Sequence, residues 1–308
     1  MSTPTPRAGL GLVQICLAGI LWGTGGLGVQ VIRDRVPMSV LTISAWRMVI
    51  AAAVLLVVLL ALRQLRGLGT LVRTHPTRVI VTGCGTAAYQ ALYFGSVVAV
   101  GVSVSTVVSL GLAPVLLTVA ESVRRRSAPT LGQVAVLVLA LAGLVLVSLA
   151  AGAHDPGPHP TLGVLLAVGS GTTYAATTAI GRSLTHTTSP LTLTTATTTV
   201  GAVALLLVAA LGGSLTTGSG DATVTLTLLY LGVFTMALAY GLFYAGLRTV
   251  PGSAAVIATL LEPVTAALVA AVWLDERLGV AGIVGTALIL VAVAGLGRRQ
   301  PEPAVPPG

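Results

Sequence analysis

The chain has 308 residues, 55% of them hydrophobic and 8% charged, and its formal net charge of +8 comes from arginine with no lysine at all. A water-soluble domain carries about 25% charged residues, so water alone cannot solvate this surface and a bilayer is its natural solvent. The arginines form short clusters between apolar runs without an interleaved aromatic face, which excludes a nucleic-acid footprint.

A spanning helix needs ~20 mostly apolar residues. Ten such runs follow one another, at 9–31, 38–62, 79–98, 103–122, 130–151, 161–181, 190–211, 222–245, 252–273 and 279–297. The first could pass for a signal peptide, but no small-residue cleavage site stands out after it, so it is read as retained. It holds Trp22 and a glycine-rich stretch ending at Gly28, which lacks the lysine and the preceding strand of a phosphate loop. In a membrane helix these glycines permit bending or close approach, and the segment is expected to line a cavity. Pro37 enters the second run, and Arg47 lies well inside it. Arg47 is a candidate counter-charge for an acid or an anionic substrate group; the competing reading is a snorkelling arginine bonded to helix carbonyls.

The third run carries Tyr89 and Tyr93 on one face by their i, i+4 spacing, with Gln90 beside them. It joins the fourth run through almost nothing at 99–102. The fourth contains Pro114 and ends near Glu121, which is expected to be interfacial and paired with Arg124 or Arg125. The sixth run offers Tyr174 and Thr177, with Thr178 next to it, as cavity candidates. The seventh holds a threonine run at 194–199, whose hydroxyls can bond back to their own helix. The eighth repeats the tyrosine pair as Tyr240 and Tyr244, and Tyr230 is read as an interfacial belt residue. The ninth contains Glu262 and Pro263. A carboxylate at mid-membrane costs ~2.5–3.5 kcal/mol, tolerable if it faces a wet cavity, takes a proton or meets a cation. Pro263 removes the N–H that the Thr259 carbonyl would accept, so an unwound turn is expected there and, by analogy, at Pro114. The histidines fall in loops or at span ends without metal-ligand spacing, and Cys16 and Cys84 read as small buried hydrophobes.

The second half echoes the first. The Tyr89–Tyr93 pair returns as Tyr240–Tyr244, Pro114 as Pro263, Ala142-Gly143 as Ala294-Gly295, Trp22-Gly23 as Tyr174-Ala175, and Pro37 as Pro190. Five spans per half is an odd number, so the halves must enter the membrane with opposite orientation. With the N-terminus inside, twelve arginines fall in cytoplasmic loops and tails and three outside. The expectation is an all-α integral membrane protein with ten transmembrane helices as two inverted five-helix repeats. The repeats occupy 9–151 and 161–297, with tails at 1–8 and 298–308 and a linker at 152–160.

These residues resemble the EamA-type members of the drug/metabolite transporter superfamily over nearly the whole chain. The likeness rests on Trp22-Gly23, Pro37 with Arg47, Tyr93 and Tyr244, Leu261-Glu262-Pro263, Asp275-Glu276-Arg277-Leu278, Gly285 and Gly295. The first repeat departs from the pattern, with Arg124-Arg125-Arg126 for the acid–arginine pair and Ala113-Pro114 for Glu-Pro. The resemblance implies a multi-pass carrier of the bacterial inner membrane with cytoplasmic termini. It also implies a cavity formed by spans one, three, four, six, eight and nine, and export or exchange of small metabolites. The expected function is efflux of a small metabolite, an amino acid or related compound, by alternating access. Trp22, Tyr89, Gln90, Tyr93, Tyr174, Thr177, Tyr240 and Tyr244 are expected in the cavity, Glu262 and Arg47 in proton or charge coupling, and Pro114 and Pro263 at kinks. The partners expected are the substrate, the lipid bilayer and protons; neither cofactor nor metal is expected, and monomer and homodimer both stay open. A facilitative uptake carrier or exchanger is the first alternative, and an intramembrane enzyme is a remote one.

Overall fold

The computed structural model describes residues 6–150, 159–212, 220–273 and 279–297, and every element among them is helical. The first half contains α1 (Pro6–Gly23), α2 (Gly25–Arg33), α3 (Val40–Ala61), α4 (Leu65–Thr74), α5 (Pro76–Val100), α6 (Val102–Arg125) and α7 (Leu131–Ala150). The second contains α8 (Pro160–Thr185), α9 (Pro190–Leu211), α10 (Ala222–Tyr230), a π-helical segment (Leu231–Leu238), α11 (Ala239–Gly246), α12 (Gly252–Ala258), α13 (Leu261–Trp273) and α14 (Val280–Gly297). Asp275, Glu276, Arg277, Leu278, His154 and the tail arginines Arg298 and Arg299 lie outside the described residues.

The distribution of side chains inverts that of a soluble protein. Leu10, Val13, Leu17 and Ile20 form an exposed apolar stripe on α1, and Val203, Leu207 and Leu211 form another on α9. Inside, buried serines hold helices together. Ser96 bonds Ser105 at 2.6 Å and donates to the Gly163 carbonyl at 2.8 Å, and Ser170 donates to the Tyr89 carbonyl at 3.1 Å. Apolar outside and polar inside is the arrangement that lipid as solvent requires. Among the described residues nine helical stretches are long and apolar enough to cross a membrane, the broken pairs counted as single stretches. The remaining run, the third, is α5, whose 25 residues fall short of that apolarity and lie against α8 and α9 inside the bundle.

Local signals set the helix ends. Ser39 caps α3 by accepting from the Thr42 N–H, and Ser189 caps α9 by accepting from the Thr192 N–H, both at 3.1 Å. These caps correct one pairing of the halves. Pro37 lies two residues before its cap while Pro190 follows its own, so the serines, not the prolines, are equivalent. The α5–α6 connection is a single residue, Gly101, at φ +95°, a conformation that other L-residues rarely adopt. The loop between the second and third runs contains a helix, α4, which the sequence reading left as loop; Leu71 anchors it with its side chain buried.

The packing obeys an exchange of the two halves. α3 lies on α9 and α7 on α14, each helix against its own counterpart. α1 packs on α11 as α8 packs on α5, and α3 packs on the π segment as α9 packs on α5. Where α7 crosses α14, a Cβ on Gly143 would lie 2.6 Å from the Gly285 carbonyl oxygen, so only glycine allows this approach. The halves differ in continuity. The first span breaks at Thr24 between α1 and α2, the eighth passes through the π segment, and the ninth breaks at Thr259-Leu260, whereas α5, α6 and α8 run unbroken.

Candidate functional site

A cavity of about 470 Å³ lies among α1, α2, α3, α5, α6, α8, the π segment, α11 and α13, with α7 and α14 also reaching it, so the second, fifth and tenth spans join the six expected. Trp22, Tyr89, Gln90, Tyr93, Tyr174, Tyr240, Arg47, Glu262 and Pro263 all line it. The cavity reaches one end of the bundle, where Val29 near the end of α2, Val40 opening α3, Val97 and Ser103 flanking the α5–α6 connection, and Ala270 late in α13 line it. The broken first helix contributes Gly25 and Gly26, which leave open space, and Gly23, where a Cβ would lie 2.5 Å from the Glu262 carbonyl oxygen, so that glycine lets α1 pack against α13.

Arg47 is held by the amide it faces, its Nη2 donating to Gln90 Oε1 at 2.7 Å. Gln90 is itself buried and fixed on the other side, Nε2 reaching Met48 Sδ at 3.4 Å. Arg47 therefore turns into the cavity rather than snorkelling. Glu262 lines the same cavity, yet the two are not ion-paired; among the described residues the one salt bridge is Arg35–Asp221, at 3.6 Å. The cavity thus presents a guanidinium and a carboxyl group that are not in direct contact.

Aromatic rings form its floor. Tyr89 stacks on Tyr174 with centroids 5.0 Å apart, and Trp22 meets Tyr240 edge-on, also at 5.0 Å. The Tyr174 hydroxyl bonds Thr259 Oγ1 at 3.1 Å, which ties the floor to the break between α12 and α13. Beneath lies a void of about 10 Å³ lined by Thr86, Thr177, Thr178, Phe243 and Tyr244, and Tyr89, Tyr174 and Tyr240 face both spaces. Thr177 and Tyr244, expected in the cavity, thus stand behind its floor. Their helices continue past the rings into a closed core that includes Ile15, Leu184 and Leu247.

Other expectations shift. The unwound turn occurs near Pro263 but not at Pro114, which α6 accommodates without a break. The Thr259 carbonyl accepts from the Glu262 N–H at 2.9 Å, so it is paired within the turn rather than offered to the cavity. Glu121 is not paired with the arginines that follow it. It accepts from the Ser253 hydroxyl at 2.6 Å and the Ser253 N–H at 3.2 Å, a partner 132 residues away that no local pattern reveals. The threonines of α9 bond back to their own helix, as Thr194 does to the Pro190 carbonyl at 2.8 Å, but Thr194, Thr195, Thr197 and Thr198 are buried in protein. Cys84 is exposed rather than buried, and Cys16 is half-buried. Sequence reasoning missed Phe94, Thr106 and Ser103, all lining the cavity; the i, i+4 pattern of apolar residues hid them.

With this geometry in view, the family model described as EamA-like transporter family matches residues 9–149 and again 161–298. The chain is 29% identical over 293 residues to the uncharacterized transporter YwfM of Bacillus subtilis, covering 93% of this chain and 94% of that one. It is 25% identical over 193 residues to an uncharacterized transporter of Archaeoglobus fulgidus, covering 63% and 67% of the two chains. A protein solved by crystallography superposes with a TM-score of 0.77 at 20% identity, over 92% of this chain and 95% of the other, a likeness of fold.

Proposed function

We propose that the chain, which belongs to the EamA-like transporter family and is a multi-pass membrane transporter, exports an amino acid or a closely related zwitterion by alternating access and does no enzymatic chemistry. The observation that carries this reading is the cavity that holds Arg47 and Glu262 without an ion pair between them. A zwitterion satisfies both charges at once, its carboxylate on Arg47 and its ammonium on Glu262. A volume of about 470 Å³ suits a small metabolite. Four of the chain's six tyrosines, with Trp22 and Phe94, supply ring faces for an apolar or aromatic side chain.

The duplicated family match and the exchangeable packing support two inverted repeats, 9–151 and 161–297, of five spans each. The arginine bias puts the termini in the cytoplasm of a bacterial cell and the end that the cavity reaches on the outer face of the inner membrane. The described conformation is then outward-open, the state in which an exporter releases its cargo. With the ammonium gone, Glu262 is the base that takes a proton from outside and resets the cycle.

Metabolites are screened by thermal shift on detergent-solubilised protein, and hits are taken to counterflow in proteoliposomes. Zwitterionic hits that show saturable counterflow are expected. Stabilisation by neutral or purely cationic compounds alone sinks the reading. A carrier that runs inward uses the same cavity; flux against opposed substrate gradients at fixed pH decides the direction.

A further inference from the structure

We propose that α4 is a seat for an anionic phospholipid: its exposed leucine–valine edge enters the acyl layer while Arg66 and Arg73 hold the headgroup phosphate. The inference stands apart from the cavity and does not depend on which substrate crosses.

The stretch 61–80 carries Arg63, Arg66, Arg73 and Arg78 and no acid in its sequence. All four arginines are exposed. α4 arranges this charge into a surface. At 3.6 residues per turn, Gly67, Leu68 and Leu71 fall on one side of the helix, and that side meets the protein. Leu71 is 3% exposed within the apolar core, Leu68 packs against the same core, and Gly67 lies against Thr192 in the first turn of α9. Leu65 and Val72, two turns apart and nearly in line, form the next edge, yet they are 43% and 45% exposed. Arg66 and Arg73 form the edge beyond that. The remaining side holds Thr70 and Thr74, whose hydroxyls donate back to the carbonyls of Arg66 and Thr70 at 3.0 and 2.8 Å.

Position selects the partner. α4 lies at the end of the bundle where α3 stops and α5 and α9 begin. The chain reaches it from Leu60 and Leu62 and leaves it toward Ile80 and Val81, all exposed and apolar. Leu65 and Val72 therefore carry the lipid-facing surface to its edge, and the arginines follow at the level of the headgroups. A bilayer covers both edges at once, with tails on Leu65 and Val72 and phosphate on Arg66 and Arg73. Guanidinium groups match phosphate oxygens in pairs. With four arginines and no acid in the stretch, a headgroup of net negative charge is preferred over a zwitterionic one, whose amine the arginines repel. In the proposed orientation this is the cytoplasmic leaflet.

Two measurements on the full chain test the seat. In a Cys16→Ala, Cys84→Ala background, Val72→Cys carries a bimane fluorophore and the protein is reconstituted in phosphatidylcholine. A minor fraction of the lipid, either phosphatidylglycerol or phosphatidylcholine, carries a nitroxide high on its acyl chain. The labelled phosphatidylglycerol is expected to quench severalfold more. Equal quenching leaves an unselective contact, quenching by neither turns the edge to water, and each overturns the proposal. In detergent, native mass spectrometry reads the phosphatidylglycerol that stays bound. Arg66→Gln with Arg73→Gln is expected to cut it at least threefold. Arg124→Gln with Arg125→Gln, which removes the same charge elsewhere, should leave it near the wild-type level. Equal losses in the two pairs mean bulk charge rather than a seat, and overturn it as well. Excess inorganic phosphate should not displace the lipid; displacement reassigns the site to a soluble anion and defeats the lipid reading. Where the glutamine pair fails to insert, the Val72→Cys measurement, which alters no charge, decides.

Discussion

At the scale of single residues, the cavity is organised by two charges kept apart. Gln90 takes one N–H of Arg47 and leaves the guanidinium otherwise uncommitted to an acid, and Glu262 stands on α13 without an ion-pair partner. An unpaired carboxyl group in this setting costs ~2.5–3.5 kcal/mol and is retained where it has work to do. If Glu262 carries the proton of the return step, Glu262→Gln should make transport in proteoliposomes independent of pH. The check is initial counterflow and net flux measured from acidic to alkaline pH. A variant that keeps the wild-type pH profile removes Glu262 from coupling. The Arg47 side of the pair has its own signature. Loss of a charged hydrogen bond is worth ~1.5–3 kcal/mol, so Arg47→Gln should raise KM for a zwitterionic substrate at least roughly tenfold. The same change should leave transport of the corresponding amine, which lacks the carboxylate, much less affected. Equal losses for both compounds mean that Arg47 is structural.

At the scale of elements, the cavity exists because three rods are not continuous. The first breaks at Thr24, the eighth is under-wound into a π segment, and the ninth breaks just before Glu262. At the last of these, the Thr259 carbonyl bonds the Glu262 N–H because Pro263 offers none. Pro263→Ala returns the missing donor and should let α12 and α13 join, carrying Glu262 away from its present direction. The expected result is a Tm equal to or above the wild type together with transport reduced severalfold. A variant with normal transport means the break is incidental. These features mark how far the sequence could be read. Apolar runs announce the rods, though not their serine caps, and Pro263 with its neighbouring acid announces one break. The π segment was not legible, because Leu231–Leu238 holds only apolar residues, one glycine and one threonine, a composition that ordinary membrane helices share. α4 was hidden by its arginines, which obscure a short amphipathic face. Most cavity residues were legible from their polarity within apolar runs, whereas the Glu121–Ser253 contact spans 132 residues and depends wholly on packing.

At the scale of the whole molecule, the question is what relates the halves. Each helix that touches its own counterpart, α3 on α9 and α7 on α14, must lie on the line about which the halves exchange. In the inverted arrangement proposed above, that line lies in the membrane plane, so one end of the bundle repeats the other. It also fixes the positions of loops. The turn after α6, with Arg124, Arg125 and Arg126, must then face opposite to the turn before α14, its counterpart in the second half. The proposed orientation follows from the arginine count of twelve against three, since these loops are short enough for the positive-inside rule to act. In a background lacking Cys16 and Cys84, Ser127→Cys should react with an impermeant maleimide only after the cytoplasmic side is exposed. Gly279→Cys should react in intact cells stripped of the outer membrane. Labelling of both from the same side would falsify the inverted arrangement.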